Sequence, residues 1–365
     1  MPFDILAEFL TTKTRGTYLL LIKYFWTLGS MLVPVMAYLT IELADCWRLF
    51  AAAAVIPCLL SFLAGIFFVP ESPRWLVSQG QNARALEILR EAARQNGVDP
   101  AVAFPENVVL ADEETEEAHF SELLSPRWRK LMLLLSVIWA TYCFSFYGTI
   151  LTVTRVFDNY DVYDEENAAY YYGGGAVYYD GAASEEDEFD YAAIFLSSAA
   201  ELIGTTLAIK LIDSEGRIKT LVGSCVIGAI GTFAMCALDV TNVRWALICC
   251  ALVARAAQMS MACTAWIVTA ELLSTEILST GHAAVNAIAR FGAFFSPFLV
   301  DGEFSLLKIG SVLCITQLIT AISSSTLLET KGVELGKAVL IEEARSIDLE
   351  NDSAYRRMEG QGVVA

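Results

Sequence analysis

Histidine is almost absent from this sequence, and the two that occur, His119 and His282, lie in no HExxH or Cys/His pattern. Zinc enzymes and most acid–base catalysts need such residues at defined spacings, so nothing here indicates an enzyme. No glycine-rich phosphate loop precedes a predicted helix, which excludes an ATP-driven class. The nine cysteines form no CxxC pattern and lie mostly in apolar segments, where thiols pack as small apolar groups. We therefore predict no metal and no cofactor, and leave coupling to protons or another ion open.

Charge is scarce as well, since charged residues make up 18% of the chain while hydrophobic residues make up 56%. The mean hydropathy is +0.51. So few charges do not cover a soluble body of this size. The net charge of −18 argues against nucleic acid as a partner. It is concentrated in residues 112–117, in residues 158–190 and in the C-terminal tail.

Eight apolar stretches are long enough to cross a bilayer as helices, because each has about the 20 residues needed for a hydrocarbon core of roughly 30 Å. They are residues 17–41, 47–69, 130–157, 191–212, 220–238, 244–271, 281–300 and 306–328. They predict an all-α polytopic membrane protein embedded in the lipid bilayer. Gly292 and Ser296 have the small-xxx-small spacing of closely packed membrane helices.

The distribution of lysine and arginine between the loops predicts the orientation. Basic residues occur before the first span, in residues 70–129, between the fourth and fifth spans, and after the last span. The alternate loops are nearly free of them, so the positive-inside rule places both termini in the cytosol. The expected location is the plasma membrane or an endomembrane.

The order of the spans is asymmetric: two spans, then a long polar stretch, then six spans. Transporters are commonly built from related helical halves. We therefore expect residues 1–69 to be the remnant of an N-terminal half and residues 70–129 to be a cytosolic inter-half loop. Residues 130–328 would be a six-helix half and residues 329–365 a cytosolic tail. This layout favours a truncated chain.

Three motifs then carry a resemblance to sugar porters and their relatives in the major facilitator superfamily. PESPRWL at residues 70–76 resembles the PESPR signature that follows the sixth helix of that family. ETKGVEL at residues 329–335 resembles the PETKG signature after the twelfth helix, with Leu328 in the proline's place. IDSEGRIKT at residues 212–220 resembles the loop between helices eight and nine. The matching signature residues are Pro70, Glu71, Ser72, Pro73, Arg74, Glu329, Thr330, Lys331 and Gly332, and those of the loop are Asp213, Gly216, Arg217 and Lys219.

Further matches are similar to the branch that contains synaptic vesicle two-related protein and the organic-ion transporters. They include the third span and the stretch at residues 269–281, although Ser274 replaces a proline and Leu278 an arginine of that branch. The resemblance covers helices five to twelve and the end of helix four. It implies the corresponding part of the major facilitator fold and secondary transport of a small organic solute, an organic ion or a sugar-like compound, by alternating access. The alternatives are a transporter-like adaptor or receptor and a nonfunctional fragment.

The loop at residues 212–220 is a candidate gate element. Asp213 ends one predicted helix and Arg217 begins the next across a turn containing Gly216, so carboxylate and guanidinium can pair. The resemblance implies that such loops brace the cytosolic gate; the alternative is a generic tight turn. Glu271 and His282 are further gate candidates, as is Glu276, although solvated helix ends are the favoured interpretation of all three.

Charges inside the spans are the other functional candidates. A charge at the centre of a span costs about 2.5 to 3.5 kcal/mol, so Glu201, Arg255 and Arg290 should face a cavity or a partner. Glu201 could pair with either arginine, bind a cationic substrate or carry a proton; a structural ion pair is the equal alternative. Arg255 is expected near the outer face, with its side chain extended to the interface. Other candidate pathway residues are Tyr142, Phe146, Gln258 and Asn286, with packing as the alternative for the aromatic ones.

Overall fold

The structure is a computed structural model that describes residues 5–6, 9–10, 15–105, 108–110, 120–158, 191–238, 243–273 and 277–332. Within these residues, eight helices are long and apolar enough to cross a membrane, and they coincide with the eight predicted spans. Helices dominate the described chain, which contains no β-strand. His119, Glu276, the acidic residues 159–190 and the tail from residue 333 lie outside the described residues.

The helices are numbered here in chain order. They are α1 (Arg15–Ala37), α2 (Trp47–Phe68), α3 (Pro73–Ser78), α4 (Asn82–Gln95), α5 (Pro100–Ala103), α6 (Arg129–Asp158), α7 (Tyr191–Ser214), α8 (Arg217–Leu238), α9 (Arg244–Leu272), α10 (Leu278–Val300) and α11 (Leu306–Ser325). A π-helical turn over Tyr38–Glu42 extends α1, and a 3₁₀ turn over Phe120–Leu124 precedes α6. The spans are helical because a helix satisfies its backbone polar groups internally, as a hydrocarbon environment demands.

The six helices from α6 to α11 form one packed bundle. Helix α6 packs along α10 and α11, α8 packs against α9 and α11, and α7 packs against α9. Two of these crossings bring backbones into direct contact at glycine. A Cβ on Gly204 in α7 would overlap the carbonyl of Ala256 in α9, and a Cβ on Gly292 in α10 would overlap the carbonyl of Ala140 in α6. The close packing predicted around Gly292 is therefore confirmed.

Helix α1 is attached to this bundle mainly through α7. The hydroxyl groups of Tyr24 and Thr206 lie 2.7 Å apart, and Thr17 Oγ1 donates a hydrogen bond to Asp213 Oδ2 at 2.7 Å. Helix α2 has no buried residue. Its apolar side chains face outward, which suits an environment of lipid rather than water.

The stretch after α2 begins with a helix cap. Ser72 Oγ accepts a hydrogen bond from the backbone N–H of Trp75 at 3.1 Å, and Pro73 occupies the first position of α3. Serine is favoured at the N-cap because its side-chain oxygen accepts from a free backbone N–H, and proline is favoured at the first helical position because it has no N–H to leave unsatisfied. Glu71 and Arg74 are exposed. The signature at residues 70–74 thus follows the end of α2 and starts the helical segment after it.

Candidate functional site

Helices α1, α6, α9 and α10 line a cavity of about 530 Å³. This volume lies within the usual range for a site that holds a small organic molecule. Four of the predicted pathway residues line the cavity, namely Tyr142, Phe146, Asn286 and Arg290. The cavity therefore lies between α1, from the first two spans, and the six-helix bundle.

One wall of the cavity is held by an aromatic cluster. The ring of Trp266 lies 4.6 Å from that of His282 and 5.0 Å from that of Trp139, measured between centroids. The indole N–H of Trp139 donates to Thr269 Oγ1 at 2.8 Å, so this fully buried ring is held by a polar contact as well. His282 is buried at the cavity wall, and the expectation of a solvated histidine at a helix end was wrong.

Lys23 in α1 is a cavity residue that the sequence analysis missed. Its ammonium group lies 4.1 Å from the ring centroid of Trp266, a cation–π contact that joins α1 to α9. The sequence does show a sign of this role, because Lys23 is a charged residue within an apolar run of the first span. A charge embedded in a span is as costly at Lys23 as at Glu201, so this lysine should also face a cavity or a partner.

Arg290 lines the cavity from α10, and its side-chain hydrogen bonds to other described residues are both long. Its Nη1 donates to Tyr147 Oη at 3.5 Å and its Nη2 donates to Asn286 Oδ1 at 3.5 Å. Both distances are at the upper limit of a hydrogen bond. Arg290 is exposed to the cavity side of the bundle, so most of its five N–H donors have room for another acceptor.

Glu201 and Arg255 form a buried ion pair away from the cavity lining. Arg255 Nη2 lies 2.7 Å from Glu201 Oε1, and both side chains are almost fully buried. Ser30 of α1 donates to Glu201 Oε2 at 3.3 Å. Glu201 thus pairs with Arg255 and not with Arg290, and the expectation that Arg255 extends to the membrane interface was wrong. The close pairing offsets part of the hydration that the two buried charges lose.

Gln258 is also buried outside the cavity lining. Its Nε2 donates to Thr149 Oγ1 at 3.2 Å, which links α9 to α6. Glu201, Arg255 and Gln258 belong to the polar residues buried inside the bundle. Their place in a solute pathway stays a prediction.

A second site, the charged cluster, consists of Asp213, Arg217, Glu271 and Glu329 at one end of the bundle. Arg217 Nε lies 3.1 Å from Glu271 Oε2, and its Nη1 lies 3.2 Å from Asp213 Oδ1. The predicted pairing of Asp213 with Arg217 is confirmed. Glu271 is only 3% exposed, so its expected solvation was wrong. The cause is the guanidinium of Arg217, which replaces water around this carboxylate.

Glu329 completes the charged cluster by capping α8. Its Oε1 accepts from the backbone N–H of Arg217 at 2.8 Å, and its Oε2 accepts from that of Ile218 at 3.1 Å. A carboxylate is stabilised at this end of a helix by free N–H groups and by the helix dipole. Gly216 has a φ of +106°, which favours glycine, and a Cβ there would lie 2.7 Å from Glu329 Oε2.

The residues after Glu329 hold the same end of the bundle. Thr330 Oγ1 donates to Glu271 Oε2 at 2.5 Å, and Lys331 Nζ donates to the carbonyl oxygen of Ser214 at 2.8 Å. Lys219, in contrast, is exposed. The signature at residues 329–332 thus anchors the end of α11 to the turn between α7 and α8.

Comparison with known proteins shows a family match and several similar transporters and related proteins. The model of the family described as sugar (and other) transporter matches residues 5–338. The svop-1 protein of Caenorhabditis elegans is 32% identical over 335 residues, covering 90% of this chain and 62% of the relative. The synaptic vesicle 2-related protein of Xenopus laevis is 28% identical over 81% of this chain and 52% of the relative. Solute carrier family 22 member 3 of Rattus norvegicus is 25% identical over 92% of this chain and 55% of the relative.

Among solved structures, the proton:xylose symporter XylE of the major facilitator superfamily, bound to 6-bromo-6-deoxy-D-glucose, superposes with a TM-score of 0.63. It is 20% identical and is covered over 69% of its length by 93% of this chain. The chain spans between about half and three fifths of the length of the three relatives above. The family match extends over most of the chain, and the fold agrees with it. The chain belongs to the sugar (and other) transporter family, and its fold is that of the major facilitator superfamily.

Proposed function

We propose that the protein to which this chain belongs moves a small organic solute, an organic ion or a sugar-like compound, across a membrane by alternating access as a secondary transporter. The observation that supports this most is the cavity of about 530 Å³ between α1 and the six-helix bundle. Its lining combines aromatic surfaces with a few polar groups, which is the usual composition of a small-molecule site. Membrane-length helices on both sides of such a cavity suit a solute pathway.

The charged cluster supplies the second element of the proposal, a gate. Its ion pairs join the turn between α7 and α8 to the ends of α9 and α11. In the proposed orientation, with both termini cytosolic, these contacts brace the cytosolic end of residues 130–328. Residues 1–69 then belong to the N-terminal half, and residues 70–129 form the cytosolic loop between the halves. Breaking the cluster should favour the state that is open at this end.

Cys143 offers a test that does not require the solute to be known, because it lines the cavity. The chain is reconstituted in vesicles with its other cysteines replaced, and a membrane-impermeant maleimide is applied from either side. Alternating access predicts that Cys143 is labelled from both sides. Glu271→Gln should then speed labelling from the side of the charged cluster and slow it from the opposite side. The matched control is Glu215→Gln, which removes an exposed carboxylate near the same turn.

Labelling from one side only, unchanged by Glu271→Gln, would contradict the transport proposal and favour a receptor or adaptor with a static cavity. Rates that rise together from both sides would indicate a leak. Reciprocal rate changes are the signature of two exchanging states, because stabilising one state depopulates the other.

A further inference from the structure

We propose that the cavity selects an organic anion with an apolar or aromatic body, whose anionic group binds between Lys23 and Arg290. This assignment rests on the proposed function and specifies its substrate class. The two cations enter from different parts of the fold, Lys23 from α1 and Arg290 from α10. An anion held by both would join the first two spans to the six-helix bundle.

The charge of the cavity lining is the first observation that favours an anion. Among the described residues, the cavity lining contains Lys23 and Arg290 but no aspartate and no glutamate. The buried carboxylates of the described bundle helices are already paired, Glu201 with Arg255 at 2.7 Å and Glu271 with Arg217 at 3.1 Å. In a membrane interior, where charges interact more strongly than in water, such a lining attracts anions and repels cations.

The geometry of Arg290 carries the second step. A guanidinium presents a planar fork of donors that matches a carboxylate, sulfonate or phosphate in two parallel hydrogen bonds. The contacts of Arg290 to Tyr147 and Asn286, both at 3.5 Å, aim the group without satisfying it. Asn286 also lines the cavity and can add a neutral donor to the same anionic group.

The aromatic lining carries the third step. Tyr142, Phe146 and Trp266 present rings to the cavity, and the Tyr142 and Phe146 rings are 6.4 Å apart in an edge-to-face arrangement. A ring of the ligand can pack against these faces while its charged end remains at the cations. A sugar needs many neutral donors and acceptors. The lining is mainly apolar surface, so an aromatic or apolar body is the better fit.

The test uses three probes of one shape and different charge: phenylbutyrate, phenylbutanol and phenylbutylamine. Their binding to the whole chain in nanodiscs is measured by quenching of tryptophan fluorescence. We expect phenylbutyrate to bind about ten- to a hundredfold more tightly than the alcohol, the difference that one or two charge-assisted hydrogen bonds make. The amine should bind more weakly than the alcohol.

The variants assign the preference to the two cations. Arg290→Gln and Lys23→Gln should each bring the affinities for the anion and the alcohol to within about threefold. Arg290→Glu should reverse the preference in favour of the amine, a gain that unfolding cannot mimic. Lys308→Gln is the matched control, because Lys308 is exposed at the start of α11 and outside the cavity lining.

Equal binding of the alcohol and the anion, tighter binding of the amine, or no binding of any probe would overturn the assignment. An anion preference that survives both Arg290→Gln and Lys23→Gln would overturn it too. Anion binding without two-sided labelling of Cys143 would support the site and refute transport. Two-sided labelling of Cys143 without an anion preference would support transport and refute the anion site.

Discussion

The turn at Gly216 allows the most direct test of the charged cluster. We expect Gly216→Ala to lower the free energy of unfolding by about 3 to 5 kcal/mol, for two separate reasons. A residue with a Cβ is strained at a φ of +106°, which costs on the order of 1 to 3 kcal/mol. The Cβ would also lie 2.7 Å from Glu329 Oε2, so the carboxylate must move.

The second cost follows from what Glu329 holds. Its two oxygens accept from the backbone N–H groups of Arg217 and Ile218. Hydrogen bonds to a charged group contribute about 1.5 to 3 kcal/mol, and displacing the carboxylate weakens both. In a Glu329→Ala background, Gly216→Ala should therefore cost only the strain of about 1 to 3 kcal/mol.

Unfolding in detergent, followed by circular dichroism against increasing denaturant, measures both values. Gly223→Ala is the control, because Gly223 lies in α8 with open space around its position. In a helix interior this exchange should stabilise by about 0.5 to 1 kcal/mol. The reasoning is refuted if Gly216→Ala is as stable as Gly223→Ala, or if its cost is the same with and without Glu329.

Two further predictions concern the interior of the bundle. Glu201→Gln leaves Arg255 charged and buried beside a neutral group, so we expect a loss of about 3 to 5 kcal/mol in detergent unfolding, most of it recovered in the double variant with Arg255→Gln. A single variant with unchanged stability would show that the pair does not hold the bundle. Gly204→Ala should cost about 1 to 3 kcal/mol because α7 and α9 must separate, whereas Gly29→Ala, which has open space, should not. Equal melting temperatures of the two alanine variants would contradict this contact.

The spans were predictable from the sequence because their signal is local. Twenty consecutive apolar residues determine a membrane helix without knowledge of its neighbours, and all eight spans are confirmed. The pairing of Asp213 with Arg217 was equally local, since both flank one turn. The spacing within a span also indicated which glycine lies at a helix crossing, as Gly292 does.

Contacts between distant residues could not be predicted in the same way. Arg217 and Glu271 are 54 residues apart, and only the packing of α8 against α9 shows that Glu271 is buried. The choice of Arg255 over Arg290 as the partner of Glu201 likewise depends on which faces of α7 and α9 meet. The sequence of a span shows that an embedded charge is costly, but it does not show the direction in which the charged side chain points.

The glycine contacts described above divide the molecule into parts that move together and a part that can move alone. Where backbones touch, as at Gly204 and Gly292, no side chain lies between the helices to change rotamer and absorb a shift. We therefore expect each of these helix pairs to move as one body. No such backbone contact is found at the described glycines of helix α1, whose polar contacts to α7 include hydrogen bonds of hydroxyl groups that can be exchanged for others. If the cavity opens and closes as proposed, we expect the distance from Lys23 to Arg290 to change with it.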